Sequence, residues 1–146
     1  MGQKVEVDIV ATRHEDDGVA FTCMWEDSKG HWHSGPVEFP YRSGEHDVEF
    51  ELKDRTGLHL EFEKDVDDAI WFEVGQCPKG PGGNDQNQIV DKTRASKAKL
   101  TLKNLNSDAC TLYYALRFTG DSYTSPGGNK HSGPYAYDPE FRNRGG

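Results

Sequence analysis

The chain has 146 residues, 34% of them hydrophobic and 29% charged, with a formal net charge of −8. Its length fits one domain with a core of its own, and an aromatic content of 11% argues for a packed fold over a disordered one. The acidic excess argues against a nucleic-acid partner, because phosphate neutralisation needs clustered cations. No stretch approaches the roughly 20 apolar residues of a membrane helix, so no membrane partner is expected.

Lys4, Glu6 and Asp8 place charges where a signal peptide would carry its apolar run, and the expected location is cytoplasmic. Three cysteines at wide spacing fit reduced, mostly buried thiols better than a disulfide framework. In an oxidising compartment, Cys77 and Cys110 would be the first pair to test. Charge is uneven along the chain. Residues 1–75 hold 7 Lys/Arg against 19 Asp/Glu, a balance of −12, and residues 76–146 hold 10 against 6, a balance of +4. The halves either screen each other inside one domain or form complementary surfaces that favour self-association or an oppositely charged partner.

In chain order, residues 4–13 alternate Val5, Val7, Ile9 and Ala11 against polar neighbours, which predicts a half-buried first strand. A turn at 14–18 ends on Asp-Gly and leads to a second strand at 19–25 with Val19, Phe21, Cys23 and Trp25 on one face. The turn Asp27-Ser28-Lys29-Gly30 then sets residues 31–33 back against that strand. Gly35-Pro36 and Pro40 make residues 34–43 an irregular connection or edge strand pinned by Val37, Phe39 and Tyr41. Residues 47–53 and 58–63 flank Asp54-Arg55-Thr56-Gly57 and read as a hairpin.

Ala69-Ile70-Trp71-Phe72-Glu73-Val74 reads as an interior strand. Residues 75–88, rich in Gly and Pro, form a loop too long for a hairpin turn. Short strands follow at 89–94 and 99–105. The clearest pattern is at 110–119, where Cys110, Leu112, Tyr114, Leu116 and Phe118 alternate with Thr111, Tyr113, Arg117 and Thr119. That marks a central strand. A second loop at 120–134 precedes an aromatic tail, 135–146, that docks on the body. No segment has helical periodicity. The expected fold class is all-β: an antiparallel β-sandwich of about seven to nine strands in a single domain, with immunoglobulin-like or Greek-key connections.

His31-Trp32-His33 is the most suggestive local motif. On a strand the two imidazoles share a face and can converge on a divalent metal, the only cofactor the sequence raises. The bland alternative is two exposed histidines with Trp32 as the buried anchor. The acidic clusters Glu15-Asp16-Asp17, Glu26-Asp27 and Asp65-Val66-Asp67-Asp68 lack EF-hand spacing and read as a solvated rim. Gly80-Pro81-Gly82-Gly83 lacks the Gly-Lys-Ser/Thr ending of a phosphate loop. Ser125, Ser132 and the cysteines lie in no nucleophile motif, so the residues lean away from an enzyme. The basic run from Lys92 to Lys99 could protect a strand edge or meet an acidic partner. Tyr113, Arg117, Tyr123, Tyr135 and Tyr137, on or near the C-terminal loops, are the candidate binding residues. Their rings could stack on the apolar faces of a carbohydrate.

The ending Tyr135-Ala136-Tyr137-Asp138-Pro139-Glu140-Phe141-Arg142-Asn143-Arg144-Gly145-Gly146 resembles that of small uncharacterised bacterial proteins. Those finish on a Tyr/Phe-Asp-Pro-x-apolar-x-Asn-x-Gly-Gly pattern after a β-rich body. The resemblance implies a cytoplasmic bacterial β-sandwich and supplies no catalytic residues. In layout alone the chain is similar to bacterial inclusion-body proteins of the PixA/AidA type, which implies a tendency to self-associate. The expectation is therefore a non-catalytic binding or self-associating protein, either a homo-oligomer or one with a protein partner. Metal binding through His31 and His33, and carbohydrate binding through the C-terminal aromatics, are the alternatives.

Overall fold

In chain order the elements are β1 (Gln3–His14), β2 (Gly18–Glu26), β3 (Trp32–Ser34), β4 (Val37–Phe39), β5 (His46–Asp54), β6 (Glu61–Phe62), α1 (Val66–Ala69), β7 (Ile70–Val74), β8 (Ile89–Ser96), β9 (Lys99–Asn104), β10 (Ala109–Thr119), β11 (Tyr123–Thr124), β12 (Lys130–His131), β13 (Tyr135–Tyr137) and β14 (Glu140–Arg144). They come from a computed structural model that describes residues 3–14, 16 and 18–145. Glu15 and Asp17, in the turn and acidic cluster expected near residue 16, and Gly146 at the end of the tail lie outside the described residues.

Two sheets face each other. One runs β3-β2-β1-β5-β9-β8, and the other is built on β10. Leu112 pairs with both Phe141 and Val74, and Leu116 with both Tyr137 and Ile70. So β10 has β13 and β14 along one side and β7 along the other, with β6 continuing the line of β7 through Phe118 and Phe62. The fold class is the all-β sandwich that the alternation predicts. The strand number is not: about fourteen strands replace seven to nine. The surplus comes from ladders of two or three residues, such as β3, β4, β6 and β13, too short to show a period of two.

The sheets are also mixed. β1 pairs with β5 in parallel, and β14 pairs with β4 in parallel. The expected hairpin at 47–63 does not form, because β5 stays between β1 and β9 while β6 crosses to β10. Asp54 explains the crossover. Its Oδ1 accepts from Thr56 N (2.9 Å) and Thr56 Oγ1 (2.5 Å), and its Oδ2 from Leu60 N (2.9 Å). The carboxylate thus closes a loop of its own, and Leu58 and Leu60 are buried between the sheets. The segment 120–134 likewise contains the β11–β12 hairpin, and α1 is a single helical turn capped by Asp65.

The core lies where the inward faces meet. Val5, Val7, Ile9 and Ala11 of β1 and Phe50 of β5 oppose Leu112, Tyr114, Leu116 and Phe118 of β10, all buried. Tyr114 sits 4.6 Å from Phe141 and 5.6 Å from Phe50, ring centre to ring centre. Each such ring contributes about 1.5–3 kcal/mol by leaving water. Phe141 belongs to the tail, which pairs with β10 over Ala109–Tyr113. Asn104 and Asn143 seal the same end with reciprocal amide bonds of 2.7 and 3.0 Å.

Candidate functional site

Because β3 pairs with β2 and β4 with β14, both strands lie on one flank of the sandwich, at the end of each sheet. The turn before β3 is built by Asp27. Its N–H donates to His31 O (2.9 Å), and its Oδ1 accepts from Lys29 N (2.9 Å) and His31 N (3.0 Å). Oδ2 lies 2.9 Å from His33 Nε2 and 3.8 Å from His31 Nδ1. Gly30 completes the turn with φ +84°, a region other residues enter at a cost. The His33 hydrogen bond, then those from the backbone amides, hold the Asp27 carboxyl down at about 2.

His31 and His33 therefore do converge, but on a carboxylate. Among the described residues no group of three or more His, Cys, Asp or Glu side chains could hold a metal ion. Trp32 is not a buried anchor. Register sets Trp25 opposite His33, so parity sends His33 inward, where its ring stacks on Trp25 at 4.3 Å. Trp32 faces out and is 48% exposed. Met24, the residue immediately before Trp25, is 41% exposed on that same outward face.

Between this hairpin and β4 lies a cleft of about 230 Å³ floored by Val5 and Trp25, with Asp27, His33, Glu38 and His46 around it. His46 bonds through Nδ1 to Gly44 O (2.9 Å), and burial lowers its pKa. Glu38 is paired with Arg144 at 2.5 Å. The loop after β4 is tied back to the turn through Gln3, which accepts from Ser28 Oγ (3.1 Å) and donates to Ser43 O (2.5 Å). That loop carries Tyr41, 63% exposed, where the alternation with Val37 and Phe39 predicts an inward ring. β4 ends at Phe39, so the alternation no longer applies at Tyr41.

The five candidate binding residues separate. Tyr113 and Tyr137 share a cleft of about 180 Å³ with Gly35, Pro36 and Glu140, although Tyr137 also stacks on Phe21 at 5.6 Å and burial pushes its hydroxyl to about 12. Tyr135 is 8% exposed and donates its hydroxyl to Asp121 O (2.7 Å). Arg117 lies over the Trp71 ring at 4.3 Å and near Glu63 at 3.9 Å. Tyr123 stacks on His131 at 4.8 Å beneath Arg13. The structure thus brings Tyr113 and Tyr137 to one cleft, while Tyr135, Arg117 and Tyr123 are each engaged with other partners.

The basic run is largely absorbed by the acidic half of the same chain. Lys92 pairs with Asp67 (2.9 Å), Arg94 with Glu61 (3.8 Å) and Lys99 with Glu49 (3.7 Å). No protein-family model matches the chain, and no curated protein matches it significantly in sequence. Among the described residues no helix is long and apolar enough to cross a membrane. Met24 and Trp32 thus share the outward face of the β2–β3 hairpin, and Tyr41 is exposed on the loop after β4. The signal in the sequence was parity: with Trp25 inward, Met24 has to point out.

Proposed function

We propose that this β-sandwich is a non-catalytic protein that associates with further copies of itself through the β3–β4 flank. One observation carries the reading. The large apolar side chains left exposed among the described residues are Met24, Trp32 and Tyr41, and all three belong to that flank. Isolated exposed apolar residues are ordinary, whereas a gathered set beside a strand edge marks an interaction surface. Tryptophan and tyrosine are also the side chains that most often dominate association energies.

The test is size-exclusion chromatography with light scattering over a protein-concentration and salt series, comparing wild type with Trp32→Lys. Wild type is expected to show a concentration-dependent increase in mass that the variant loses. An exposed substitution of this kind changes fold stability by about 0.5 kcal/mol at most, so the two proteins should melt together. A monomer at every concentration and salt would sink the proposal.

A further inference from the structure

We infer that two copies join β3 to β3 across a two-fold axis, merging their six-stranded sheets into one. This rests on the self-association proposed above and names its geometry. The two edges of the sheet differ in how they are guarded. β8 carries two register irregularities and the cations Lys92 and Arg94, the usual devices against edge pairing. Arg94 also bonds to Phe62 O (3.1 Å) and Lys92 to Asp67 (2.9 Å), tying that edge to β6 and α1. β3 consists of Trp32, His33 and Ser34, all exposed, with neither bulge nor lysine nor proline.

The ladder gives the pairing. Asp27 N–H donates to His31 O, and antiparallel bonding alternates along the strand. The amide and carbonyl of His33 therefore turn toward Trp25, and those of Trp32 and Ser34 turn to the open edge. A two-fold axis at His33 sets Trp32 of each copy opposite Ser34 of the other, forming about four backbone hydrogen bonds. It also sets the largest outward side chain of the strand against the smallest. Since Met24 lies opposite Ser34 within each copy, the indole crosses the serine and reaches the second copy's Met24. Both exposed apolar groups of the sheet are consumed, and the contact closes on itself as an isologous interface requires.

Charge favours a second copy over an acidic or a basic peptide. Glu26, Lys29 and Arg42 have no ion-pair partner among the described residues. The flank thus presents both signs unpaired, and a two-fold face can neutralise itself.

Amide hydrogen exchange at low and high concentration, read residue by residue on the full chain, tests this beside light scattering. The Trp32 and Ser34 amides should become protected as the dimer forms, while that of His33 stays as it is. Trp32→Ala should weaken dimerisation by about 30-fold. Ser34→Pro, which removes only an outward N–H, should also weaken it, with the circular dichroism spectrum unchanged. If a dimer forms but Trp32 and Ser34 exchange at the monomer rate, the self-association stands and the edge pairing falls. Growth beyond a dimer also overturns the inference, because a two-fold edge contact has no second end. If no association occurs, both proposals fall together.

Discussion

Replacing Tyr114 by Phe should stabilise the protein. Tyr114 is completely buried on the inward face of β10, and its hydroxyl has no hydrogen-bond partner among the described residues. Burial pushes its pKa well above the ordinary value, with the Cys23 thiol and the Tyr137 hydroxyl adding to the shift. A buried hydroxyl without a partner costs about 1–3 kcal/mol in desolvation. The ring contacts that repay the burial involve carbon only: Phe141 at 4.6 Å, Phe72 at 5.5 Å and Phe50 at 5.6 Å. Phenylalanine keeps all three and removes the oxygen. The void left is a single atom, so its cost is small against the penalty relieved. The expected gain is about 1–2 kcal/mol, read as a higher urea midpoint at unchanged slope. For a chain of this size each kcal/mol raises Tm by about 2–4 °C. A loss of stability of about 1 kcal/mol or more would refute the reasoning, because it would mean that the hydroxyl is hydrogen-bonded in the folded protein.

Asn143→Ala should cost about 2–3 kcal/mol by urea unfolding, since it strands the buried Asn104 amide that it now meets at 2.7 and 3.0 Å; a change within about 0.5 kcal/mol would mean that the tail is not held this way. The Asp27 carboxyl, held at about 2 when folded against about 3.9 when unfolded, contributes stability that is fully present above the unfolded value and lost as pH falls through the folded one. Asp27→Asn should therefore flatten the decline of stability between about pH 4 and pH 2, and parallel acid profiles for the two proteins would contradict the assignment. With a chromogenic disulfide at neutral pH, exposed Cys77 should label first, and a Cys77→Ser variant should lose that fast phase. Cys23, buried and pushed up to about 12, should react only on unfolding, and fast labelling of Cys23 in the native protein would count against its burial.

Long strands were legible because their pattern is local. β1 and β10 alternate buried and more exposed residues along most of their lengths, β10 with a break at Ala115, and the buried set on β1 is the one that alternation picks out. The crossover at Asp54 was not legible. A turn between two alternating segments looks the same whether the second segment folds back on the first or moves to the facing sheet. The difference lies in which distant strands compete for β5, and β1 and β9 win it. The candidate site shows the same divide. The spacing of His31 and His33 raised a metal, whereas in the structure both rings lie beside Asp27, whose carboxylate comes from the turn itself.

By itself, then, the order of side chains determined the sheet-forming character of the chain, the identity of most core residues, and the single-strand parity that puts Met24 and Trp25 on opposite faces. Those depend only on a two-residue repeat and on turn chemistry. Tertiary structure decided which strands are neighbours, that most of the basic run is paired from the acidic half, and that Tyr113 and Tyr137 share a cleft while Tyr123 and Tyr135 are engaged elsewhere. It also decided that β3 ends a sheet with its outer side uncovered. Edges are a property of the whole assembly of strands: no residue in Trp-His-Ser says that nothing lies beyond it.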